Sequence, residues 1–315
     1  MEFKNYLTKK LKKMNFITAI VIGLIFILLV INLTKKKKQT EGFGVEGFSQ
    51  EGKFTLKRNN DIYDDFYVDV YDAVITDSAK NAFEMERIMD ASKMNEKSNV
   101  IDMGCGLGHH VNILKQNNIP ATGIELSKSM IKKGKSHYNN NINIKYGDAM
   151  DSFLFEGDQF THIMCMFYTF YYMPSQEAFL RNCNKWLRFN GYLIVHLVDR
   201  NHFHPIVPPS ELFLVPTETF AKKGERITTS VVKFKGFKYE SEFKEDYTNN
   251  AATFNETFTA DGSGKIRKNV HSLKIKSIDE YVKMFKRAGF KVKETIGLKP
   301  VGYHHQYIYI LQKER

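Results

Sequence analysis

The sequence predicts an α/β protein: a doubly wound, mostly parallel seven-stranded sheet with an antiparallel β insertion, preceded by one transmembrane helix. Three observations carry that expectation. Aliphatic, strand-like runs alternate with helical segments between residues 96 and 199, and the first run leads into the glycine-rich stretch VIDMGCGLGHH, Val100 to His110. Period-two alternation replaces this pattern from Ile227 to Lys276. Near the start, Phe16 to Leu33 is a run of 18 residues without a charge.

The uncharged run is long enough, at a rise of about 1.5 Å per residue, to approach the ~30 Å of a bilayer core. Lys9, Lys10, Lys12 and Lys13 precede it and Lys35 to Lys38 follow it, so cations stand at both headgroup levels. A cleaved signal peptide fits less well, because four lysines directly after the run make a poor small-residue cleavage site. The predicted organisation is a basic tail over 1–15, a transmembrane helix over 16–33, a flexible linker over 34–55 and one folded domain over 56–315. The linker contains the Gly-rich QTEGFGVEGFSQEG, and the antiparallel lid occupies about 225–276 of the domain. In the tail, Phe3, Leu7, Leu11 and Met14 share one helical stripe among lysines; a surface-lying helix and a frayed tail are both open.

Charge narrows the partners. The formal net charge is +11, but residues 1–38 hold nine lysines and one glutamate; +11 less their +8 leaves +3 for everything after them. A basic face on the folded domain is therefore not expected, which disfavours a nucleic-acid partner. Cys105, Cys165 and Cys183 form neither a disulfide framework nor a zinc spacing, so the domain reads as cytosolic.

Val100 and Ile101 end a buried strand, Asp102 follows, and Gly104, Gly106 and Gly108 make a bare turn before a helix opening at His109. Strand, bare turn and helix bring a ligand against backbone amides at a helix N-terminus. ATGIE is a second strand ending at Glu125, with Ser127 as N-cap of the next helix. A third strand, Ile142–Tyr146, stops at Gly147 before Asp148. Three successive strand ends thus each deliver an acid. The nicotinamide fingerprint G-x-G-x-x-G fails, because His109 holds its sixth position. An acid such as Asp102 beside the loop would repel a pyrophosphate and attract a cationic amine.

DMGCGLG resembles the D/E-x-G-x-G-x-G loop of the class I S-adenosylmethionine-dependent methyltransferases, a Rossmann-like family. The resemblance spans about residues 96–199. It implies S-adenosyl-L-methionine as cofactor, packed on Gly104, Cys105, Gly106 and Gly108. Asp102 would hold the methionine amine, Glu125 with the adjacent Leu126 the ribose hydroxyls, and Asp148 with the amide of Ala149 the adenine edge.

The remaining elements follow in order. FTHIMCMF, Phe160–Phe167, is the fourth strand, and YTFYYM after it faces the ligand end. A sulfonium that loses charge in the reaction favours aromatic faces over anions, which makes Tyr168 the candidate catalytic residue among Tyr168, Phe170, Tyr171 and Tyr172. Pro174 starts a helix through Trp186, with Gly191 near its C′ position, and GYLIVHLV is the fifth strand. HLVDRNHFHPIVPP then supplies His196, Asp199, Arg200, Asn201, His202 and His204. A metal on Asp199, His202 and His204 is one reading, disfavoured because methyl transfer needs none. Binding the substrate or removing its proton is the other, with His196 as candidate.

DRNHF and RITTSVVKF also look like pieces of the glycine N-methyltransferases, although the glycine loop departs from theirs. That likeness implies Arg200 as a clamp for a substrate carboxylate. Asp261-Gly-Ser-Gly turns the lid, Ser277–Ala288 is a helix with SIDE as capping box, and Phe290–Gly297 with Gln306–Gln312 closes the sheet as a hairpin. Its connection brings Tyr303, His304 and His305 to the ligand edge. Upstream, Tyr63, Tyr67 and Tyr71 recur at helical spacing, either covering the cofactor or packing on the sheet. The expectation is a membrane-anchored methyltransferase acting on a small molecule, an amine or carboxylate-bearing one. A protein or lipid head group as acceptor, or a catalytically silent scaffold of the same fold, are the alternatives.

Overall fold

Val100–Met103 (β2) runs through the middle of the larger sheet because all four of its side chains are buried; in a strand covered on both faces the alternation disappears. The computed structural model describes residues 53–74, 76–206 and 226–314. The predicted tail, the 16–33 span and the linker up to residue 52 lie outside the described residues. Among the described residues no helix is long and apolar enough to cross a membrane.

In chain order the strands are β1 (Phe54–Arg58), β2, β3 (Ala121–Glu125), β4 (Ile144–Tyr146), β5 (Phe160–Cys165), β6 (Leu187–Val198), β7 (Thr229–Phe234), β8 (Phe237–Asp246), β9 (Ala251–Ala260), β10 (Ile266–Lys274), β11 (Phe290–Gly297) and β12 (Gln306–Lys313). The helices are α1 (Asp65–Val74), α2 (Ser78–Ala91), α3 (His109–Gln116), α4 (Lys128–His137), α5 (Thr169–Tyr172), α6 (Gln176–Trp186) and α7 (Ile278–Arg287). Seven strands form one sheet in the order β11-β12-β6-β5-β2-β3-β4. Only β12 runs against the rest, antiparallel to both β6 and β11. The order reverses beside β2, so the crevice at the carboxyl ends of β2 and β5 is the switch point at which ligands bind in such sheets.

Helix ends follow their capping residues. Ser127 accepts from the Met130 amide ahead of α4, and Ser175 from the Ala178 amide ahead of α6. Ser277 and Glu280 form the complete reciprocal capping box ahead of α7. Two boundaries correct the sequence expectation. Helix α6 starts at Gln176, two residues after Pro174, and ends with Leu187 already extended. Gly191 is therefore no C′ residue: it lies inside β6, where a Cβ would stand 2.8 Å from the Arg188 carbonyl oxygen. The third strand is also shorter than Ile142–Tyr146, starting at Ile144.

The second sheet, β1-β10-β9-β8-β7, is antiparallel apart from β1, which pairs parallel with β10. Phe54 and Thr55 therefore belong to a strand of the folded domain, where the sequence places a linker through residue 55. Register puts Asn269 opposite Glu256 and His271 opposite Phe254. Helix α1 packs on this sheet through Phe66, whose ring lies 5.3 Å from Phe258 and 6.5 Å from Phe237. Buried Arg267 fixes the segment before α1, with Nη1 donating to both Asp64 carboxylate oxygens at 2.9 and 2.8 Å and Nη2 to the Ile62 carbonyl at 2.9 Å.

Candidate active site

The loop after β2 is shaped by three glycines with positive φ: Gly104 at 68°, Gly106 at 55° and Gly108 at 81°. A Cβ on Gly104 would stand 2.4 Å from Thr169 Cγ2, and one on Gly108 2.7 Å from Ile144 Cδ1. Packing thus requires the outer two to be bare. Gly106 differs, since a Cβ there would meet nothing within 4 Å. Its left-handed backbone still favours glycine, and the open space in front of it is where a ligand can approach the chain. Behind the loop, the amides of Gly104 and Cys105 both donate to the Ile124 carbonyl, at 2.8 and 3.1 Å. Cys105 is half-buried and burial pushes its thiol well above the ordinary range, so it serves as packing and not as a nucleophile.

Topology makes β2, β3 and β4 neighbours, so the acids at their carboxyl ends share one edge of the sheet. Asp102 is 1% exposed, and neither of its carboxylate oxygens has a hydrogen-bond partner. Burial, reinforced by Glu125 and Glu84 and opposed by His110, pushes its pKa up to about 6. His110 Nδ1 lies 3.9 Å away, beyond a hydrogen bond, and its Nε2 is 3.3 Å from Glu84. Glu84 is itself buried and stays ionised, with a pKa of about 2: burial works against the charge, but Lys80 at 2.6 Å and His110 outweigh it. An ionised, unpartnered carboxylate in the interior calls for a cation from outside the chain. The ammonium group of S-adenosylmethionine fits that need.

Glu125 closes onto the loop, Oε2 accepting from the Gly106 amide at 2.9 Å and Oε1 from the Ser127 amide at 2.8 Å. Burial raises its pKa, while the amides of Ser127, Gly106 and Leu126 hold it down. Each oxygen keeps a further lone pair, enough for two vicinal hydroxyls. Asp148 is exposed and accepts from the Met150 amide at 2.8 Å; the carbonyl of the buried Ala149 accepts from Asn182 at 3.3 Å. These residues can hold a nucleoside: a diol at Glu125 and a base edge at Asp148.

The reacting side departs from the sequence expectation. Tyr168 is half-buried, its ring 5.8 Å from His196 and 6.4 Å from Phe203, and burial raises its hydroxyl pKa. His196 is 0% exposed. Its Nδ1 lies 2.7 Å from the Phe167 carbonyl, to which it donates, and its Nε2 3.1 Å from the Gln306 side chain. Burial, with help from the Lys80 charge, lowers its pKa to about 4. A general base must reach the acceptor's proton; His196, expected as such a group, is here a sealed imidazole with both nitrogens engaged. Arg200 Nη1 donates to Asn250 and, at 3.3 Å, to the Ile275 carbonyl, with the guanidinium 5.4 Å over Tyr247. Its partners lie at the β8–β9 turn and after β10, which makes it a strut between the β6 loop and the second sheet. Tyr303 is buried and donates to Asp77 at 3.1 Å, while His304 and His305 are exposed. Among the described residues no three His, Cys, Asp or Glu side chains converge as metal ligands.

A buried cluster that the sequence reading did not single out ties α1 and α5 to the second sheet. Glu256, 0% exposed, accepts from Tyr67 at 3.1 Å, Tyr239 at 2.9 Å, Asn269 at 3.1 Å and His271 at 2.8 Å. His271 Nδ1 is 2.6 Å from Tyr172 Oη. Tyr172 also hydrogen-bonds Tyr63, whose carbonyl accepts from Ser127 Oγ at 2.6 Å. A signal for this cluster exists in the sequence. On β9 the inward positions read Ala252, Phe254, Glu256, Phe258, Ala260, with an acid where only apolar side chains are expected.

Comparison with known proteins bears on the same residues. A family described as "Methyltransferase domain" matches residues 100–191. A ubiquinone biosynthesis O-methyltransferase of Coxiella burnetii is 28% identical over 127 residues, 38% of this chain and 53% of that protein. The chain thus aligns with about half the length of the curated relatives it matches. Among solved structures, the CcbJ methyltransferase from Streptomyces caelestis aligns with a TM-score of 0.60 at 16% identity, covering 80% of this chain and 98% of its own. An S-adenosylmethionine-dependent methyltransferase from Clostridium acetobutylicum gives 0.59 at 13% identity, covering 79% and 98%. S-adenosylmethionine-bound CalS10, an amino pentose methyltransferase from Micromonospora echinaspora, gives 0.54 at 16%, covering 78% and 96%. At such identities the likeness speaks for the fold. The matched methyltransferase domain begins on the strand that carries Asp102, and the chain is similar over that stretch and in fold to S-adenosylmethionine-dependent methyltransferases.

Proposed function

We propose that this chain transfers a methyl group from S-adenosylmethionine to a hydroxyl or amine of a small molecule held between the glycine loop and the second sheet. The observation that carries the proposal is the unpartnered, buried carboxylate of Asp102 beside a loop whose middle glycine faces open space. When bound, S-adenosylmethionine supplies a methyl carbon activated by the sulfonium. Asp102 holds its ammonium, the Gly106 backbone approaches its ribose, Glu125 takes the diol, and Asp148 with Ala149 borders the base. Tyr168, the N-cap of the short helix α5 after β5, and Tyr172, its last residue, wall the reacting end with aromatic faces and exclude water. Placing the reactants in line at about 3–3.5 Å can supply ~7–11 kcal/mol of the barrier. The matched relatives, whose names include a quinone-pathway O-methyltransferase and an amino pentose methyltransferase, support small hydroxyl or amino compounds as the acceptor class.

The uncharged run over 16–33 with lysines at both ends supports a membrane tether that keeps the domain at a cytosolic surface. Calorimetry on the full-length chain tests the cofactor reading: S-adenosylmethionine and its demethylated product should bind with micromolar Kd, and a folded chain that binds neither would refute it. Methyl transfer to catechol, D-glucosamine and glycine then separates hydroxyl, amine and carboxylate-bearing acceptors. Recovery of the chain in the carbonate-washed membrane pellet tests the tether.

A further inference from the structure

We propose that Tyr172, His271 and Glu256 form a proton relay that receives the proton of the acceptor as it is methylated, so that the acceptor class is restricted to groups bearing O–H or N–H. The inference rests on the methyltransferase reading above and deepens it. Three side chains from three elements line up end to end: Tyr172 Oη lies 2.6 Å from His271 Nδ1, and His271 Nε2 lies 2.8 Å from Glu256 Oε2. The inner end of the line is fixed. Glu256 is fully buried and ionised. Burial opposes its charge, but the hydrogen bonds from His271, Asn269 and Tyr239 hold its pKa below the ordinary range. A carboxylate on Nε2 fixes the tautomer that leaves Nδ1 as an acceptor, and Nδ1 faces the phenol.

The outer end lies beside the elements that hold the glycine loop. Tyr172 closes α5, whose first residue, Thr169, packs on Gly104, and Tyr172 as a whole residue is half-buried. Its second partner, Tyr63, is bound to Ser127, next to the diol-binding carboxylate of Glu125. Burial raises the Tyr172 pKa, so the hydroxyl stays protonated and passes a proton on instead of storing a charge. A purely structural carboxylate would be satisfied by Tyr67, Tyr239 and Asn269; the fourth partner is the one that leads out to the crevice.

The transfer balances. The acceptor's oxygen or nitrogen forms a bond to the methyl carbon as the carbon–sulfur bond breaks, and that electron pair stays on sulfur. The acceptor's proton moves to Tyr172 Oη, and the phenolic proton moves to His271 Nδ1. One positive charge disappears at sulfur and one appears on His271, 2.8 Å from the Glu256 carboxylate. No charge is created without a partner. Tyr172 is the catalytic residue, because it touches the acceptor; His271 and Glu256 act through it as positioning residues. The other groups facing His271 are Tyr63 and Tyr67, with rings 6.3 and 6.1 Å away, and Phe254. Tyr239 and Asn269 face Glu256, and Arg267 faces Asn269. No further charged side chain adjoins the imidazole among these partners.

The test uses the full-length chain labelled with 15N-histidine and saturated with the demethylated cofactor. His271, assigned by its loss in His271→Asn, should carry its proton on Nε2 with Nδ1 unprotonated, and Tyr172→Phe should move its Nδ1 resonance. An Nδ1-protonated or permanently doubly protonated His271, or a resonance indifferent to Tyr172→Phe, overturns the relay. With catechol and D-glucosamine as acceptors, Tyr172→Phe and Glu256→Gln should each lower kcat by roughly 100-fold, leaving the affinity for the demethylated cofactor unchanged. Equal losses in kcat and in cofactor affinity would mark the cluster as scaffolding and overturn the relay. If neither acceptor is methylated, the resonance experiment decides alone. Failure of the wild-type chain to bind the demethylated cofactor refutes the methyltransferase reading itself, whereas binding with the wrong His271 tautomer refutes only the relay.

Discussion

Asp102 and Glu256 are equally hidden from water, at 1% and 0% exposure, yet the protein treats them in opposite ways. Glu256 receives four donors from α1, β8 and β10 and sits below the ordinary carboxylate range. Asp102 receives none and is pushed up to about 6, with burial as the main cause. A buried charge costs several kcal/mol unless it is paired. On the lid side this chain supplies the pairing itself. On the glycine-loop side it stops short, and the proposed function assigns the missing partner to the cofactor's ammonium. The contrast separates a carboxylate that the chain pairs from one that it leaves unpaired, although accessibility alone would class them together.

The sharpest way to break the contrast is to remove the satisfied acid. Glu256→Ala strands Tyr67, Tyr239, Asn269 and His271 and should cost about 3–5 kcal/mol of stability, read from urea melts. The pH sign follows from the lowered pKa. The contribution of Glu256 is present above its unfolded value near 4.5 and is lost as the pH falls through the folded one, so Glu256→Gln should remove that part of the acid limb.

Asp102→Asn should act in the opposite direction on the free protein. The folded pKa of Asp102 is raised from 3.8 to about 6, so its ionisation penalises the fold above that pH and the penalty vanishes below about 4. At pH 8 the free variant should be more stable by about 1–3 kcal/mol, from the size of that shift. Cofactor binding should meanwhile lose about 2 kcal/mol or more, at least about 30-fold in Kd. A destabilised free Asp102→Asn protein would mean that the carboxylate already has a partner.

How much of this was legible before the fold is instructive. The glycine loop, the acids at residues 102, 125 and 148 and the Ser277–Glu280 capping box are local patterns: spacing and residue type specify them, and sheet order then brings the acids together. The Glu256 cluster depends on register. Asn269 faces Glu256 only because β10 pairs with β9 in one particular alignment, and Tyr67 reaches it across 189 residues of sequence. Alternation shows that Glu256 shares a face with Phe254 and Phe258, but not which element covers that face. The pairing of β1 with β10 is likewise non-local, so a strand at Phe54–Arg58 looks like the end of a tether. His196 and Arg200 carry the right chemistry for a site, but strand burial seals the one, and Asn250 and Ile275 engage the other.

Two smaller perturbations sharpen the open side. Gly106→Ala should fold with about 1–2 kcal/mol of backbone strain, because φ is 55° and the new methyl meets no protein atom. It should nevertheless lose cofactor binding, since the methyl occupies the face that a ligand needs. Gly104→Ala should damage the fold more than Gly106→Ala, because its methyl would stand 2.4 Å from Thr169 Cγ2. Melts and calorimetry on both variants separate ligand space from packing space along one loop.

Glu125→Gln gives the smallest expected effect. The Glu125 carboxylate commits one lone pair on Oε2 to the Gly106 amide and one on Oε1 to the Ser127 amide, leaving an outward pair on each oxygen. Glutamine preserves one of these acceptors and replaces the other with an NH2 group that faces either the Gly106 or the Ser127 N–H. One hydroxyl of a bound diol then loses its acceptor, and the remaining contact loses its charge. The loss should be about 1.5 kcal/mol, roughly tenfold in the Kd of the demethylated cofactor. Stability of the free protein should change little, because removing a charge that burial penalises offsets the weakened hold on one amide. Titration calorimetry on folded Glu125→Gln measures this, and an unchanged Kd would mean that the acid at the end of β3 serves the loop's conformation and never contacts the ligand.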